Sequence, residues 1–186
     1  MIAGPARALA TWLAIAMLAA VARAGDVVPE PEGYREDQFR APVPATLEGG
    51  TVLDTEAAFA LWRAGEAVFI DVLPRAPKPA NLPAGTIWRD KPRMSIPGTI
   101  WLPNVGYGGL APETDTYFRA GLDRATGGDK ARPLVFFCLA ECWMSWNAAK
   151  RAIREYGYRA VSWYPDGTDG WAFDAHPLEE VVPAEP

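Results

Sequence analysis

Four short apolar runs alternate with segments of helical period along this chain of 186 residues, and this alternation constrains the fold more than any other feature. The runs are AVFIDV, IPGTIWLP, RPLVFFC and AVSWYP. Consecutive apolar residues are typical of strands buried on both faces, as parallel strands joined by helices are. The pattern therefore predicts a single α/β domain with a mostly parallel sheet and helices on both faces.

The helical segments carry recognisable ends. Asp54 or Thr55 can cap the helix that follows it, and Gly65 can end that helix. In SWNAAKRAIREYGY, an apolar face repeats at helical spacing and Gly157 follows as a stop. The same spacing predicts that Lys150, Arg151, Arg154 and Glu155 form the solvent-facing side of this helix.

The first 24 residues have the form of a secretory signal peptide. Arg7 precedes the uncharged segment ALATWLAIAMLAA, which is short for a membrane span, and Ala22, Arg23 and Ala24 form an A-x-A cleavage site. We therefore expect export, to the periplasm of a Gram-negative source. An uncleaved N-terminal anchor is the alternative.

The rest of the chain divides by composition into three parts. Residues 25–50 are rich in proline and acidic residues and are expected to form an extended arm, wrapped on the domain or partly disordered. Residues 51–175 form the predicted domain, and residues 176–186 a loose polar tail. With a net charge of −5 and no cluster of Lys or Arg, the chain lacks the features of nucleic-acid binding or of binding to anionic membranes.

Polar residues stand at the ends of three predicted strands. Asp71, Cys138 and Asp166 each follow or close an apolar run. In parallel sheets, ligands bind beyond the carboxyl ends of the strands. The sequence therefore predicts a functional site at this edge, in which all three take part.

Cys138 and Cys142 are the only thiols, and they stand four residues apart between a strand and a helix. Backbone N–H groups of the loop and the helix dipole predict a pKa for Cys138 below the ~8.5 of a free thiol. We expect Cys138 to be the nucleophile and Cys142 the resolving thiol in an exported redox or sulfur-relay pair. A disulfide that only rigidifies the loop is the alternative.

Metal chemistry is a second alternative. A haem would require a C-x-x-C-H motif, but Trp143 follows Cys142, and one histidine is too few for a zinc site. Copper(I) favours thiolate and thioether ligands, which Cys138, Cys142 and Met144 offer, with His176 as a further donor. We therefore expect no resident cofactor, with copper(I) as the exception. Trp143 is predicted to lie at the lip of the pocket.

Four segments together resemble the rhodanese-like superfamily over residues 51–173. AVFIDVLPR, IPGTIWLP, PLVFFC and GYRAVSWYPDGTDGW are similar to its motifs, in the same order. The resemblance implies a sulfur-carrying Cys138 and a structural ion pair between Asp71 and Arg75. The cysteine loop, however, contains Glu141 and no arginine, which argues against phosphatase chemistry and weakens the case for thiosulfate as the donor.

FCLAECWMSWNAAKRA, with the signal peptide and YPDGTDGW, also resembles the exported PQQ-dependent catabolism-associated CXXCW motif proteins. This implies a role beside PQQ-dependent alcohol oxidation, with a periplasmic dehydrogenase or its cytochrome as partner. Sulfurtransferase or thiol–disulfide oxidoreductase activity, copper(I) binding and a non-catalytic binding role remain the three alternatives. Beside the two cysteines, the predicted pocket and support residues are Asp71, Arg75, Glu141, Trp143, Met144, Ser145 and Asp166.

Overall fold

The computed structural model describes residues 28–89 and 91–186. The predicted signal peptide, residues 1–24, lies outside the described residues. Within the described part of the chain, none of the helices has the length and apolar character needed to span a membrane. The elements, in chain order, are β1 (Thr51–Val52), α1 (Thr55–Ala64), β2 (Val68–Asp71), β3 (Arg93–Ser95), β4 (Ile100–Trp101), α2 (Pro112–Thr126), β5 (Leu134–Phe137), α3 (Trp143–Arg154), β6 (Val161–Tyr164), α4 (Gly167–Phe173) and β7 (Glu179–Val181).

Five strands form one parallel sheet in the order β1-β6-β5-β2-β4. β5 lies at its centre, and all four of its side chains are buried. Because side chains alternate across a strand, Leu134 and Phe136 pack with helices α2 and α3, whereas Val135 and Phe137 pack with α1 and α4. The predicted fold class, with helices on both faces of a mostly parallel sheet, is confirmed.

The caps predicted for the first helix are present. The side chain of Asp54 accepts a hydrogen bond from the backbone N–H of Ala57, and Gly65 ends α1 in the left-handed conformation. These two caps determine where α1 begins and where it ends.

Half of the predicted solvent face of α3 is exposed: Arg154 and Glu155 face solvent as predicted, whereas the prediction was wrong for Lys150 and Arg151. Lys150 is 2% exposed and Arg151 is 3% exposed. The ammonium of Lys150 donates to the carbonyl of Gly33 at 3.0 Å, and the guanidinium of Arg151 donates to that of Tyr107 at 3.1 Å. Each cation thus meets backbone carbonyls of a distant segment, which compensates for its burial.

The covering segment is the N-terminal arm, whose described part, residues 28–50, wraps along α3. Asn147 on α3 both accepts from the backbone N–H of Arg35 and donates to its carbonyl, each at 2.9 Å. Further along, the indole N–H groups of Trp143 and Trp146 donate to arm carbonyls. The arm is therefore part of the folded domain and borders the cysteine loop.

The C-terminal segment is docked, in contrast to the loose tail predicted from its composition. β7 pairs antiparallel with β3. The backbone N–H of Ala184 then donates to the carbonyl of Trp101 at 2.8 Å, so the chain continues along the outer edge of β4. The backbone N–H and C=O groups of this polar segment are hydrogen-bonded to the domain. The amino-acid composition of the segment does not indicate this pairing.

Candidate thiol site

The two cysteines lie where the sequence predicts them, beyond the carboxyl end of the central strand. β5 ends at Phe137 and α3 begins at Trp143, so the loop Cys138–Cys142 connects them. Both residues are thiols, and their Sγ atoms are 2.6 Å apart. Cys138 is fully buried and Cys142 is 3% exposed. The sulfurs therefore contact each other in a site closed to bulk solvent.

Cys142 occupies the N-cap position of α3. A hydrogen bond from Cys138 lowers the pKa of Cys142 to about 7, and backbone N–H groups of Met144, Leu139 and Ser145 act in the same direction against the effect of burial. Either thiol can donate to the other. The N–H groups around Cys142 favour the arrangement in which Cys138 donates and Cys142 carries the negative charge.

Cys138 has the opposite environment, and the prediction that its pKa is lowered was wrong. Burial raises the pKa of Cys138 well above its usual range, and the contact with Cys142 and the nearby charge of Asp71 raise it further. The physical reason is the position of the helix start. The loop turns at Glu141, and α3 begins one residue after Cys142, so its free N–H groups surround the second thiol.

Glu141 shapes this turn through its backbone. Its φ of 51° lies in the left-handed region, which is uncommon for a residue other than glycine. Its carbonyl accepts the backbone N–H of Ala41 from the arm at 3.3 Å, and the residue is exposed. The chain reverses direction at Glu141, and the side chain of Cys142 thereby contacts that of Cys138.

Below the loop lies a buried ion pair that the sequence interpretation assigned to the wrong cation. The carboxylate of Asp71 accepts from Arg93 Nε at 2.7 Å and from the hydroxyl of Ser95 at 2.6 Å. The partner is thus Arg93 and not Arg75, whose backbone N–H instead donates to Asn104 at 3.1 Å. Burial raises the pKa of Asp71, and the charge of Arg93 opposes that shift.

The same arginine supports the cysteine loop. Arg93 Nη2 donates to the carbonyl of Cys138 at 3.3 Å, and the backbone N–H of Thr168 donates to that carbonyl at 3.1 Å. Gly167 precedes Thr168 with a φ of 53°, and its Cα approaches so closely that a Cβ would lie 2.5 Å from the Cys138 carbonyl oxygen. The start of α4 is thereby packed directly against the first cysteine.

Asp166, the third predicted site residue at a strand end, does not take that role. It is exposed, and burial of part of the residue together with the charges of Asp54 and Asp174 raises its pKa. Its backbone carbonyl accepts from Gly170 at 2.9 Å. The group that α4 presents to Cys138 is Thr168.

The three residues after Cys142 support the site from below. Trp143 is 3% exposed and donates to the carbonyl of Pro42, so it lies under the arm and not at an open lip as predicted. Ser145 donates to the carbonyl of Cys142 at 3.0 Å and accepts from the indole of Trp163 at 3.0 Å. Met144 is buried, and its carbonyl lies close to Gly106.

Arg75 lines a separate cleft. This cavity of about 750 Å³ is also lined by Lys78, Trp88, Asn104 and Tyr107, and neither cysteine lines it.

The predicted site residues fall into two groups. Those that lie around the thiols are Asp71, Glu141, Trp143, Met144 and Ser145, whereas Arg75 and Asp166 do not contact the thiols.

Several residues of the site were missed by the sequence interpretation. Ala140 donates its backbone N–H to Asp169 Oδ2 at 3.0 Å, and Arg40 of the arm pairs with Cys142 in an isolated antiparallel bridge. Arg93, Ser95 and Thr168 complete the set. No local pattern marks these residues, because they reach the thiols only through the tertiary fold.

His176 does not join the thiols. Its ring stacks on Phe59 with centroids 3.8 Å apart and also contacts Trp171. Among the described residues, no group of three or more His, Cys, Asp or Glu side chains has an arrangement that could hold a metal ion. Of the copper donors suggested by the sequence, the two sulfurs are in contact with each other.

No protein-family model and no curated protein matches the chain. Among solved structures, it is similar to a thiosulfate sulfurtransferase from Pseudomonas aeruginosa, with 19% identity, a TM-score of 0.49, and coverage of 73% of this chain and 21% of that one. A polysulfide-sulfur transferase homodimer from Wolinella succinogenes has 17% identity, a TM-score of 0.44, and coverages of 71% and 80%. An uncharacterized protein from Saccharomyces cerevisiae has 20% identity, a TM-score of 0.40, and coverages of 67% and 92%.

The chain thus spans about a fifth of the length of the Pseudomonas protein. These likenesses are remote in sequence and in structure, and they do not assign an activity to this chain. The contact between the sulfur atoms of Cys138 and Cys142 is the observation from which a function is proposed below.

Proposed function

We propose that this protein is a rhodanese-like thiol carrier that exchanges sulfur or reducing equivalents through Cys138 and Cys142. The observation that carries the proposal is the 2.6 Å contact between the two sulfurs at the carboxyl edge of the sheet. A thiol with a lowered pKa beside a second thiol is the arrangement that thiol–disulfide exchange requires. Because the thiol with the lowered pKa is Cys142, we propose that Cys142 attacks and Cys138 resolves, which reverses the order expected from the sequence.

The chemistry follows from this order. The Cys142 thiolate attacks one sulfur of a disulfide donor, forms a mixed disulfide and releases one thiolate. Cys138 then gives its proton to the released thiolate and attacks Cys142 Sγ, which closes the Cys138–Cys142 disulfide and releases the second thiolate. With a persulfide donor, the outer sulfur passes to Cys142 and the donor leaves as a thiolate; attack by Cys138 then releases hydrosulfide. An external dithiol must reduce the pair for another cycle.

Brief alkylation tests the order of the thiols. In the reduced protein, we expect iodoacetamide to label Cys142 faster than Cys138, at a rate that rises with pH through about 7 as the Cys142 thiolate forms. Mass spectrometry of the modified peptides measures both rates between pH 5 and 9. The Cys138→Ser protein should still form mixed disulfides, whereas the Cys142→Ser protein should form few.

Two results would contradict the proposal. Faster labelling of Cys138 would restore the role expected from the sequence resemblance. A reduction potential well below roughly −300 mV, with no exchange in either variant, would identify the pair as a structural staple.

The export and the pathway are further parts of the proposal and rest on the sequence resemblance. We propose a periplasmic protein that serves PQQ-dependent alcohol oxidation beside a dehydrogenase or its cytochrome. Expression of the full chain in a Gram-negative host should then yield a periplasmic protein that begins at Gly25, measured by fractionation and intact mass. A mature protein that retains residues 1–24 would contradict the predicted cleavage.

Copper(I) binding is the second candidate function, and the contact between the two sulfurs also favours it. Two thiolates are a suitable donor set for copper(I). Titration of the reduced protein with copper(I) under anaerobic conditions, in the presence of a competing chelator, separates the candidates. Tight binding that is lost in both Cys→Ser variants, without thiol–disulfide exchange in the native protein, would favour the metal role.

A further inference from the structure

The cysteine loop contains no cation of its own, since the residues between the two thiols are Leu139, Ala140 and Glu141. The N-terminal arm brings one to the loop from about a hundred residues away. Arg40 and Cys142 face each other in an isolated antiparallel bridge. The thiol that carries the negative charge thus has an arginine as its cross-strand neighbour.

The hydrogen bonds of this bridge define where the two side chains lie. Trp143 donates its backbone N–H to the carbonyl of Phe39 at 2.9 Å, and Ala41 donates to that of Glu141 at 3.3 Å. These bonds flank Arg40 and Cys142, which therefore form a non-hydrogen-bonded pair. In such pairs the Cα atoms are about 4.5 Å apart and both side chains project from the same face.

The guanidinium of Arg40 is held only loosely. Its ion-pair partner is Asp169, at 4.0 Å, and the side chains are 56% and 51% exposed. An exposed pair at this distance contributes little free energy. Asp169 Oδ2 has a closer partner, the backbone N–H of Ala140 at 3.0 Å. An arriving anion therefore displaces a weak contact when it binds Arg40.

We propose that Arg40 is the anion-binding residue of the thiol site, and that the site prefers sulfur compounds with a negative charge next to the reacting sulfur. This inference rests on the proposed function. Exchange with such a compound brings a second negative charge to the Cys142 thiolate, near the carboxylates of Glu141 and Asp169. Arg40 offsets this repulsion, and the thiolate that leaves after the attack also carries the anionic group.

Three small disulfides of similar size test the inference: 3,3′-dithiodipropionate, a dianion; 2-hydroxyethyl disulfide, which is neutral; and cystamine, a dication. Oxidation of the reduced protein is followed by loss of free thiols at low ionic strength. For Arg40→Gln we expect the rate with the dianion to fall roughly tenfold, which corresponds to two charges about 6 Å from the guanidinium in water. The rate with the neutral reagent should fall much less than the rate with the dianion, and the rate with cystamine should rise relative to that with the neutral reagent.

Two controls separate the charge of Arg40 from its contribution to structure. Arg40→Lys should retain most of the preference for the dianion. Arg132→Gln removes the same charge just before β5, at the opposite edge of the sheet, and should leave all three rates unchanged. At about 1 M salt the difference between native protein and Arg40→Gln should disappear, because the Debye length is then only about 3 Å.

The outcomes separate a failure of the proposed function from a failure of the anion-binding role. If the native protein reacts with none of the reagents, the proposed function fails, and the inference fails with it. If the native protein reacts but Arg40→Gln slows all three reagents equally, Arg40 only holds the arm in place and the anion-binding role is overturned. Rates that depend on the charge of the reagent, and on Arg40, support it.

Discussion

Replacing Arg93 by Met is expected to lower the free energy of unfolding by about 3–5 kcal/mol, the usual cost of leaving one partner of a buried ion pair alone. Arg93 is 7% exposed and Asp71 is fully buried. The substitution leaves the carboxylate with donors from Ser95 and the backbone of Leu73 but without a cation. Urea unfolding monitored by tryptophan fluorescence measures the change.

The loss should depend on pH. Burial raises the pKa of Asp71, and without Arg93 the guanidinium no longer opposes this shift. The folded variant then binds the Asp71 proton more tightly than the unfolded chain, whose carboxyl has a pKa of about 4. A raised folded-state pKa means that stability is lost as pH rises from about 4 through that pKa, so the deficit should be larger at pH 7 than at pH 4.

Two further variants serve as controls. Asp71→Asn combined with Arg93→Met removes both charges and should recover more than half of the loss, because no uncompensated charge is buried. Arg132→Met removes an exposed arginine and should change stability by less than about 0.5 kcal/mol. Equal stability of Arg93→Met and the native protein would show that the ion pair does not support the fold.

Replacing Gly167 by Ala is expected to destabilise the protein by about 2–5 kcal/mol and to slow the closure of the cysteine pair. A left-handed residue with a Cβ costs about 1–2 kcal/mol, and overpacking adds about 1–3 kcal/mol. The new Cβ would lie 2.5 Å from the carbonyl oxygen of Cys138 and 2.7 Å from its carbonyl carbon. Backbone at this distance can yield only if the cysteine loop moves, which changes the distance between the sulfurs.

Gly157→Ala is the matched control for this prediction. Gly157 has a φ of 73°, and no heavy atom beyond its two neighbours in the chain lies within 4 Å of the position of its added Cβ. It should therefore show the conformational cost alone, with an unchanged rate of disulfide formation after mixing with 2-hydroxyethyl disulfide. If both variants lose the same stability and keep the same rate, the contact between Gly167 and Cys138 does not position the loop.

The sequence by itself determined the layers of the fold and the location of the thiols. Consecutive apolar residues in AVFIDV and PLVFFC identify strands buried on both faces, and the caps of α1 are readable from Asp54 and Gly65. These features depend on residues within one element or next to it. The place of Cys138 at the end of β5 follows from the same local pattern.

Only the tertiary structure decided which groups surround the sulfurs. Asp71 pairs with Arg93, 22 residues away, although Arg75 is much nearer in sequence. Lys150 and Arg151 are buried because the arm and the segment at Tyr107 offer them carbonyls. Cys142 has the lower thiol pKa because it accepts a hydrogen bond from the buried Cys138 and because the turn at Glu141 places it near backbone N–H groups at the start of α3. Ion pairs, burial and helix-end contacts depend on the meeting of distant segments, and hydrophobic periodicity contains no information about that meeting.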